Sequence, residues 1–153
     1  IPAVAFIGRF LPNLTVQGYG IASYAHSLLK QFKGEWEYDT NWKMINGHPK
    51  KAGWIKAIQE GQRKVRKGLH LDCPVLVMSS DKSYPETKEW HNEYLSSDIV
   101  LDVHDIQKYA PKLGEYVTRD TIPNGIHDLI LSEKESRDHT YRTVFDWMNR
   151  KGF

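Results

Sequence analysis

Two short segments with the composition of β-strands constrain the fold of this chain most strongly. Segment 74–79 is an unbroken apolar run rich in valine, which is typical of a strand buried on both faces of a parallel sheet. Segment 115–122 is the second strand, and it ends at the turn residues of 123–125. Helical patterns follow each strand, so residues 74–150 are predicted to form a parallel α/β unit.

A parallel sheet of two strands has too few neighbours to be stable alone. Residues 1–73 are predicted to supply helices and loops rather than strands. We therefore expect further strands from a preceding segment or from another copy of the chain. The sequence begins at Ile1 rather than at methionine, so we expect either that a segment was removed or that this is a piece of a longer protein.

Apolar spacing and capping signals predict the helices, which flank a long aromatic loop. The loop is 35–49, where Trp36, Tyr38 and Trp42 interrupt a polar sequence. The division that follows is 1–70, a region of helices and loops, and 71–153, the strand-helix-strand-helix unit. Four predicted helices are 1–11, 21–33, 52–69 and 85–95. A short fifth helix is predicted to begin at Asp102, with Asp105 in its first turn. The last helix is predicted to follow a capping box formed by Ser132 and Glu135.

Composition limits the possible partners of the protein. The 153 residues carry a formal net charge of +2, which is too balanced for a dedicated nucleic-acid binder. The basic cluster at 63–67 is better explained as the solvated face of a helix. Cys73 is the single cysteine, so a reducing, cytoplasmic location is expected. No apolar run is long enough for a stable membrane anchor.

His127 is the first candidate for chemistry, because it follows a strand and a tight turn and can exchange protons near neutral pH. A histidine base works best when a carboxylate holds its other ring nitrogen. Asp98 precedes it by 29 residues, a separation that brings both loops to one edge of a parallel sheet. Asp81 is the rival acid, nearer the end of the first strand. Asp102 is more simply a helix cap, and Asp128 is expected to cap the turn that follows the histidine.

Three stretches together resemble the C-terminal half of an alpha/beta-hydrolase, in the serine-aminopeptidase and lysophospholipase-like (monoglyceride-lipase-like) branch. They are 74–80, 97–102 and 122–129. The sequence Asn-Gly-Ile-His ending at His127 matches the Gly-x-His setting of that family's histidine. Asp98, followed by Ile-Val-Leu, resembles its acid loop. The family implies a fold in which this α/β unit ends the sheet and helical cap elements precede it.

The resemblance also implies what is absent from these residues. The family order is serine, acid, histidine, and no Gly-x-Ser-x-Gly motif is present, so the nucleophile and oxyanion loop should lie before Ile1. The chain would then be a fragment of a hydrolase of acyl-ester or lipid-like substrates, with no metal or organic cofactor. Residues 1–70 would correspond to the cap, and Trp36, Tyr38 and Trp42 would be candidates for binding the acyl chain.

Two departures and one alternative stay open. The first strand ends in Ser79-Ser80, where the family has His-Gly, and Asp98 follows a long excursion, which keeps Asp81 as a possible acid. The alternative to a hydrolase fragment is a non-catalytic interaction module. Such a module would pair with another chain through an exposed sheet edge.

Overall fold

Helices and short strands alternate along the chain in this computed structural model, which describes residues 2–153. The helices are α1 (Pro2–Ile7), α2 (Ser23–Leu28), α3 (Ala52–Lys67), α4 (Val103–Tyr109) and α5 (Lys134–Lys151). The strands are β1 (Thr15–Gln17), β2 (Lys50–Lys51), β3 (Val75–Ser80) and β4 (Val117–Ile122). Short 3₁₀ turns lie at Asn92–Leu95, Ala110–Lys112 and Leu129–Leu131. The protein therefore has mixed α/β architecture, the broad class that the sequence predicts.

The two predicted strands pair with each other in parallel. Val75 lies opposite Val117, and the register runs without a break to Ser80 opposite Ile122. Helix α4 contacts β3 and helix α5 contacts β4. The carboxyl ends of both strands therefore meet at one edge, from which the chain enters the loops that carry Asp98 and His127.

Strand β3 is less buried than its composition predicts. Its first four residues, from Val75 to Met78, are half-buried rather than buried on both faces. The difference arises because β4 is the only strand beside β3 among residues 2–153, and a two-stranded sheet offers few neighbours to cover side chains.

Strands β1 and β2 pair antiparallel, with Thr15 opposite Lys51, in a region predicted to contain only helices and loops. They have three and two residues, too short for an alternating apolar pattern to reveal them. They form a separate pair and do not extend the parallel sheet.

Helix α3 begins where predicted and ends at Lys67, two residues earlier than predicted, because the next residue, Gly68, has a positive φ of 102° that is not helical. The helices predicted at 1–11 and 21–33 are shorter, and Ile1 lies outside the described residues. Helix α2 ends early because the chain turns back at Gly34. The turn lets Trp36 N donate to Leu28 O at 2.8 Å. Among residues 2–153, no helix combines the length and apolarity needed to cross a membrane.

The helix predicted at 85–95 is wrong, and only its last residues form a 3₁₀ turn. Ser83, which lies just before this segment, bonds to a distant part of the chain instead of capping a helix here. Its hydroxyl donates to Leu101 O at 2.9 Å and accepts from Val103 N at 2.8 Å, at the start of α4. Tyr94 is fully buried, and its hydroxyl accepts from Thr87 N at 2.9 Å. The bonds of Ser83 to residues 18 and 20 positions away and the local bond of Tyr94 to Thr87 hold the segment without a helix.

Two capping predictions have different outcomes. Asp102 caps α4, because its side chain accepts from His104 N at 2.9 Å. Ser132 does not cap α5, whose N-cap residue is Glu133 and has no side-chain cap bond. The Ser132 hydroxyl instead accepts from Ile126 N at 3.0 Å and so supports the turn that carries the histidine.

Two glycines provide a matched test of this packing. A Cβ on Gly34 would lie 2.1 Å from Leu28 O, whereas one on Gly61, inside α3, would meet no atom within 4 Å. We expect Gly34→Ala to lower the free energy of unfolding by about 2 kcal/mol or more, because backbone must move. Gly61→Ala should raise it by about 0.5–1 kcal/mol. Urea unfolding followed by circular dichroism measures both, and equal stabilities would contradict the tight turn at Gly34.

Candidate active site

The backbone of Asp98 extends the sheet beyond β3. Asp98 N donates to Lys82 O at 3.0 Å, and Tyr84 N donates to Asp98 O at 3.0 Å. Ser83 and Asp98 thus form a parallel bridge just past the end of β3. The long excursion after β3 therefore returns to the same sheet edge, and the acid loop lies beside the turn that follows β4.

His127 and Asp98 meet at this edge. Nδ1 of His127 lies 3.0 Å from Oδ2 of Asp98. The other carboxylate oxygen, Oδ1, accepts from the backbone N–H groups of Val100 and Leu101, each at 2.8 Å. Asp98 is only 2% exposed, so this carboxylate is buried and has hydrogen-bond partners at both oxygens.

The pair shifts the pKa values of both partners. Burial raises the pKa of Asp98, but hydrogen bonds from His127, Leu101 and Val100 outweigh burial, and the net pKa is lowered. The bond to Asp98 raises the pKa of His127, and burial opposes that effect only in part. Because an ionised carboxylate can only accept hydrogen bonds, Nδ1 of His127 must carry the proton.

The second ring nitrogen of His127 is open to solvent. Nε2 has no hydrogen-bond partner among residues 2–153, and it is not one of their buried polar atoms. The side chain as a whole is 28% exposed. With the proton fixed on Nδ1, the neutral ring presents a lone pair at an accessible Nε2, the arrangement required of a general base.

Asp81, the rival acid, serves the turn rather than the imidazole. Its Oδ1 accepts from Asn124 N at 2.9 Å. Asn124 has a left-handed φ of 55°, and its side-chain oxygen also accepts from Lys82 Nζ at 3.0 Å. The structure therefore brings Asp98 to the His127 ring and places Asp81 under the backbone of the preceding turn.

The sequence predicts that Asp128 caps the turn that follows the histidine. This prediction is wrong, because the Asp128 side chain forms no cap bond to the 3₁₀ turn. Its Oδ2 accepts from the Tyr24 hydroxyl at 2.7 Å and from Lys43 Nζ at 3.1 Å. The Tyr24 ring also contacts the His127 ring edge-on, with 5.9 Å between centroids. Sequence reasoning missed Tyr24 and Lys43, because nothing in the local pattern links residues 104 positions apart.

The aromatic residues predicted to bind substrate have different surroundings. The Trp36 indole donates to Leu131 O at 2.7 Å, which joins the loop to the turn before α5. Trp42 is 87% exposed. The Tyr38 hydroxyl is buried without a hydrogen-bond partner among residues 2–153, and burial raises its pKa. Within that range none of the three contacts His127 through a hydrogen bond or ring pair, so their substrate role stays a prediction.

The described residues offer His127 a carboxylate but no nucleophile. No serine between residues 2 and 153 is hydrogen-bonded to the ring. That part of the chain also contains no cluster of three or more histidine, cysteine, aspartate or glutamate side chains suited to a metal ion. The arrangement can accept and return a proton, and it needs a reacting group from elsewhere.

Comparisons with protein-family models, with curated proteins and with solved structures found no match.

The pH dependence of stability tests the pair. The raised pKa of His127 stabilises the fold below its ordinary value of 6.5, and that contribution is lost as pH rises through the folded value. The lowered pKa of Asp98 stabilises the fold above 3.8, and that contribution is lost as pH falls. We expect the loss of unfolding free energy in Asp98→Asn to be largest between those values and smaller at about pH 8.

Urea unfolding of the wild type and the variant at several pH values measures this difference. Asp146→Asn is the control, since Asp146 is exposed and forms no ion pair within residues 2–153. A difference that does not change with pH would show that the 3.0 Å contact is not an ion pair in solution.

Proposed function

We propose that this chain carries the acid and the histidine of a Ser-His-Asp hydrolase of carboxylic esters, lysophospholipase- or monoglyceride-lipase-like. The serine would come from polypeptide outside these 153 residues. The observation that supports the proposal best is the 3.0 Å contact between His127 Nδ1 and Asp98 Oδ2, with Nε2 left accessible. The sequence resemblance at Asp98 and in the Gly-x-His turn supplies the reaction class.

Asp98 would orient the imidazole and stabilise its charged form. A carboxylate in this position fixes the tautomer with the proton on Nδ1, so that Nε2 faces the reaction as a base. Val100 N and Leu101 N donate to Oδ1, the carboxylate oxygen that does not contact His127, and so fix the orientation of the carboxylate. They also keep Asp98 ionised, because both N–H groups favour the charged form.

His127 would transfer the proton in both halves of the reaction. Nε2 takes the proton of the attacking serine hydroxyl as the new bond to the ester carbonyl forms, and then gives it to the leaving alcohol. Only the neutral ring can begin this cycle. Since Asp98 raises the pKa of His127, activity is expected to rise with pH through a value above the ordinary 6.5.

A structural histidine would present a different environment. A buried histidine that only supports a turn satisfies both ring nitrogens within the protein. Here the buried, ionised carboxylate costs free energy to desolvate, and its partner leaves one nitrogen open to solvent. A buried acid beside a half-exposed base with opposed pKa shifts is the combination found at sites of proton transfer.

In this proposal, the serine would be carried by additional strands that pair with the open side of β3. Strands added there would continue the parallel sheet, and their carboxyl ends would reach the edge that carries Asp98 and His127. A strand-to-helix turn in such a strand is where hydrolases of this type place the nucleophile. The substrate class is an acyl ester or lipid-like ester.

Three variants test the proposal on the polypeptide as the cell produces it. Asp98→Asn should lower kcat for 4-nitrophenyl butyrate by about 10⁴-fold, because the amide favours the wrong tautomer. His127→Ala should abolish measurable turnover. Asp81→Asn is the matched control and should stay within about fivefold of the wild type, because among residues 2–153 the Asp81 side chain bonds to the turn backbone alone.

Circular dichroism confirms that each variant is folded, and a fluorophosphonate probe reports whether a reactive serine is present. An unlabelled, inactive wild type would overturn the assignment as a serine hydrolase. Equal losses in the two aspartate variants would remove the special role of Asp98.

The backbone of β3 favours a second candidate function, an interaction module that pairs through its sheet edge. Val75 N and Asp81 N donate toward β4, to Tyr116 O and Ile122 O. Alternation along a strand then directs the amides of Leu76 and Met78 to the opposite edge, where no strand lies among residues 2–153. An edge of this kind is a template for another chain.

Sedimentation velocity of the 153-residue chain tests this second candidate. We expect association that increases with concentration, and Met78→Pro should abolish it because proline removes an outward-facing donor. Val77→Pro is the control, since it removes a donor toward β4 and should destabilise the fold itself. A wild-type chain that stays monomeric at all concentrations would exclude self-pairing through this edge.

A further inference from the structure

The hydroxyl of Tyr24 forms two hydrogen bonds with the residue that follows the histidine. It accepts from Asp128 N at 3.1 Å and donates to Asp128 Oδ2 at 2.7 Å. Tyr24 lies on α2, far from His127 in sequence, and its ring meets the His127 ring edge-on at an interplanar angle of 78°. One side chain therefore contacts both the backbone and the ring of the histidine segment.

The backbone is held on both sides of His127. Before it, Ile126 N donates to the Ser132 hydroxyl at 3.0 Å, and Ile126 is buried. After it, Asp128 N donates to the Tyr24 hydroxyl. These two bonds restrict the backbone at His127, and the bond to Asp98 and the Tyr24 ring restrict its side-chain torsions.

We propose that Tyr24 is a positioning residue that holds the His127 ring in line with Asp98, acting through the two bonds between its hydroxyl and Asp128. The inference rests on the proposed function, because it assigns Tyr24 to the same proton-transfer site. It also assigns a role to the N-terminal helical region, since α2 brings Tyr24 to the histidine turn.

The effect of the Tyr24 hydroxyl on His127 can be separated from the effects of the charged groups around the His127 ring. Asp98 and Asp128 raise the pKa of His127, and Lys43 lowers it. Tyr24 adds no charge, since burial and the bond to Asp128 raise the pKa of its hydroxyl far above neutrality. Removal of the hydroxyl therefore leaves all three charged groups present, and a changed His127 titration would report changed geometry.

Tyr24→Phe tests the inference, because it keeps the ring and removes both bonds. We expect the midpoint of the NMR titration of His127 to fall by about 0.5 pH unit, because the bond to Asp98 is populated less. Tyr116→Phe is the matched control, because Tyr116 is 52% exposed and its hydroxyl has no hydrogen bond within residues 2–153. The titration of His127 in this variant should match that of the wild type.

A folded Tyr24→Phe protein with a wild-type His127 titration would overturn the proposal, even if its stability is reduced. A second measurement needs no variant. Hydrogen exchange of the wild-type chain should protect the Asp128 amide as strongly as the Ile126 amide. Rapid exchange at Asp128 would show that the hydroxyl does not hold this backbone.

Kinetics separates failure of this inference from failure of the proposed function. In the ester-hydrolysing polypeptide, Tyr24→Phe should lower kcat by about tenfold and leave KM unchanged, because alignment rather than binding is lost. If the wild type hydrolyses no ester, the proposed function fails while the titration still reports on Tyr24. If the wild type is active and Tyr24→Phe keeps its full kcat, only the positioning role fails.

Discussion

The parallel pairing of β3 with β4 is the constraint on which the rest of the site depends. An unbroken register of six residue pairs brings the carboxyl ends of both strands to one edge. The backbone bridge between Ser83 and Asp98 then extends that edge by one more step, and the turn after β4 presents His127 beside it. A shift of one residue in this register would move the histidine turn by about 3.3 Å relative to the acid loop, which is as large as the hydrogen bond between them.

Asp98 and His127 differ in their exposure to solvent, with the carboxylate buried and the imidazole partly exposed. Asp98 is enclosed and is held by two backbone amides, whereas the far nitrogen of His127 is accessible. Buried carboxylates persist when every oxygen has a partner, and here the histidine is one of those partners. The same bond therefore satisfies the Asp98 carboxylate and places the proton on Nδ1 of His127, so the stability of the pair and, in the proposed function, its reactivity depend on one contact.

The sequence predicts this site better than it predicts the surrounding fold. The valine-rich run of β3 and the Pro-Asn-Gly turn are local signals, and both strands lie within about two residues of the predicted bounds. The separation of Asp98 and His127 matches one parallel unit, which explains why their contact could be predicted. The helix predicted at 85–95 does not form because the Ser83 hydroxyl bonds to Leu101 O and Val103 N, 18 and 20 residues further on, instead of capping a helix at its own position. Tyr24 could not be found from the local sequence either, since its partner Asp128 is 104 residues away.

The backbone bridge at Asp98 has a consequence for the residues between its two sides. Segment 85–97 leaves the sheet after Tyr84 and returns at Asp98, so its ends are pinned to each other by main-chain bonds rather than by its own length. Closing a longer loop between fixed ends costs little, about 0.6 kcal/mol for each doubling. An insertion beside the exposed Lys88 is therefore expected to cost little stability and to leave Asp98 in place, whereas the buried Tyr94 and Ser97 anchor the second half of the segment.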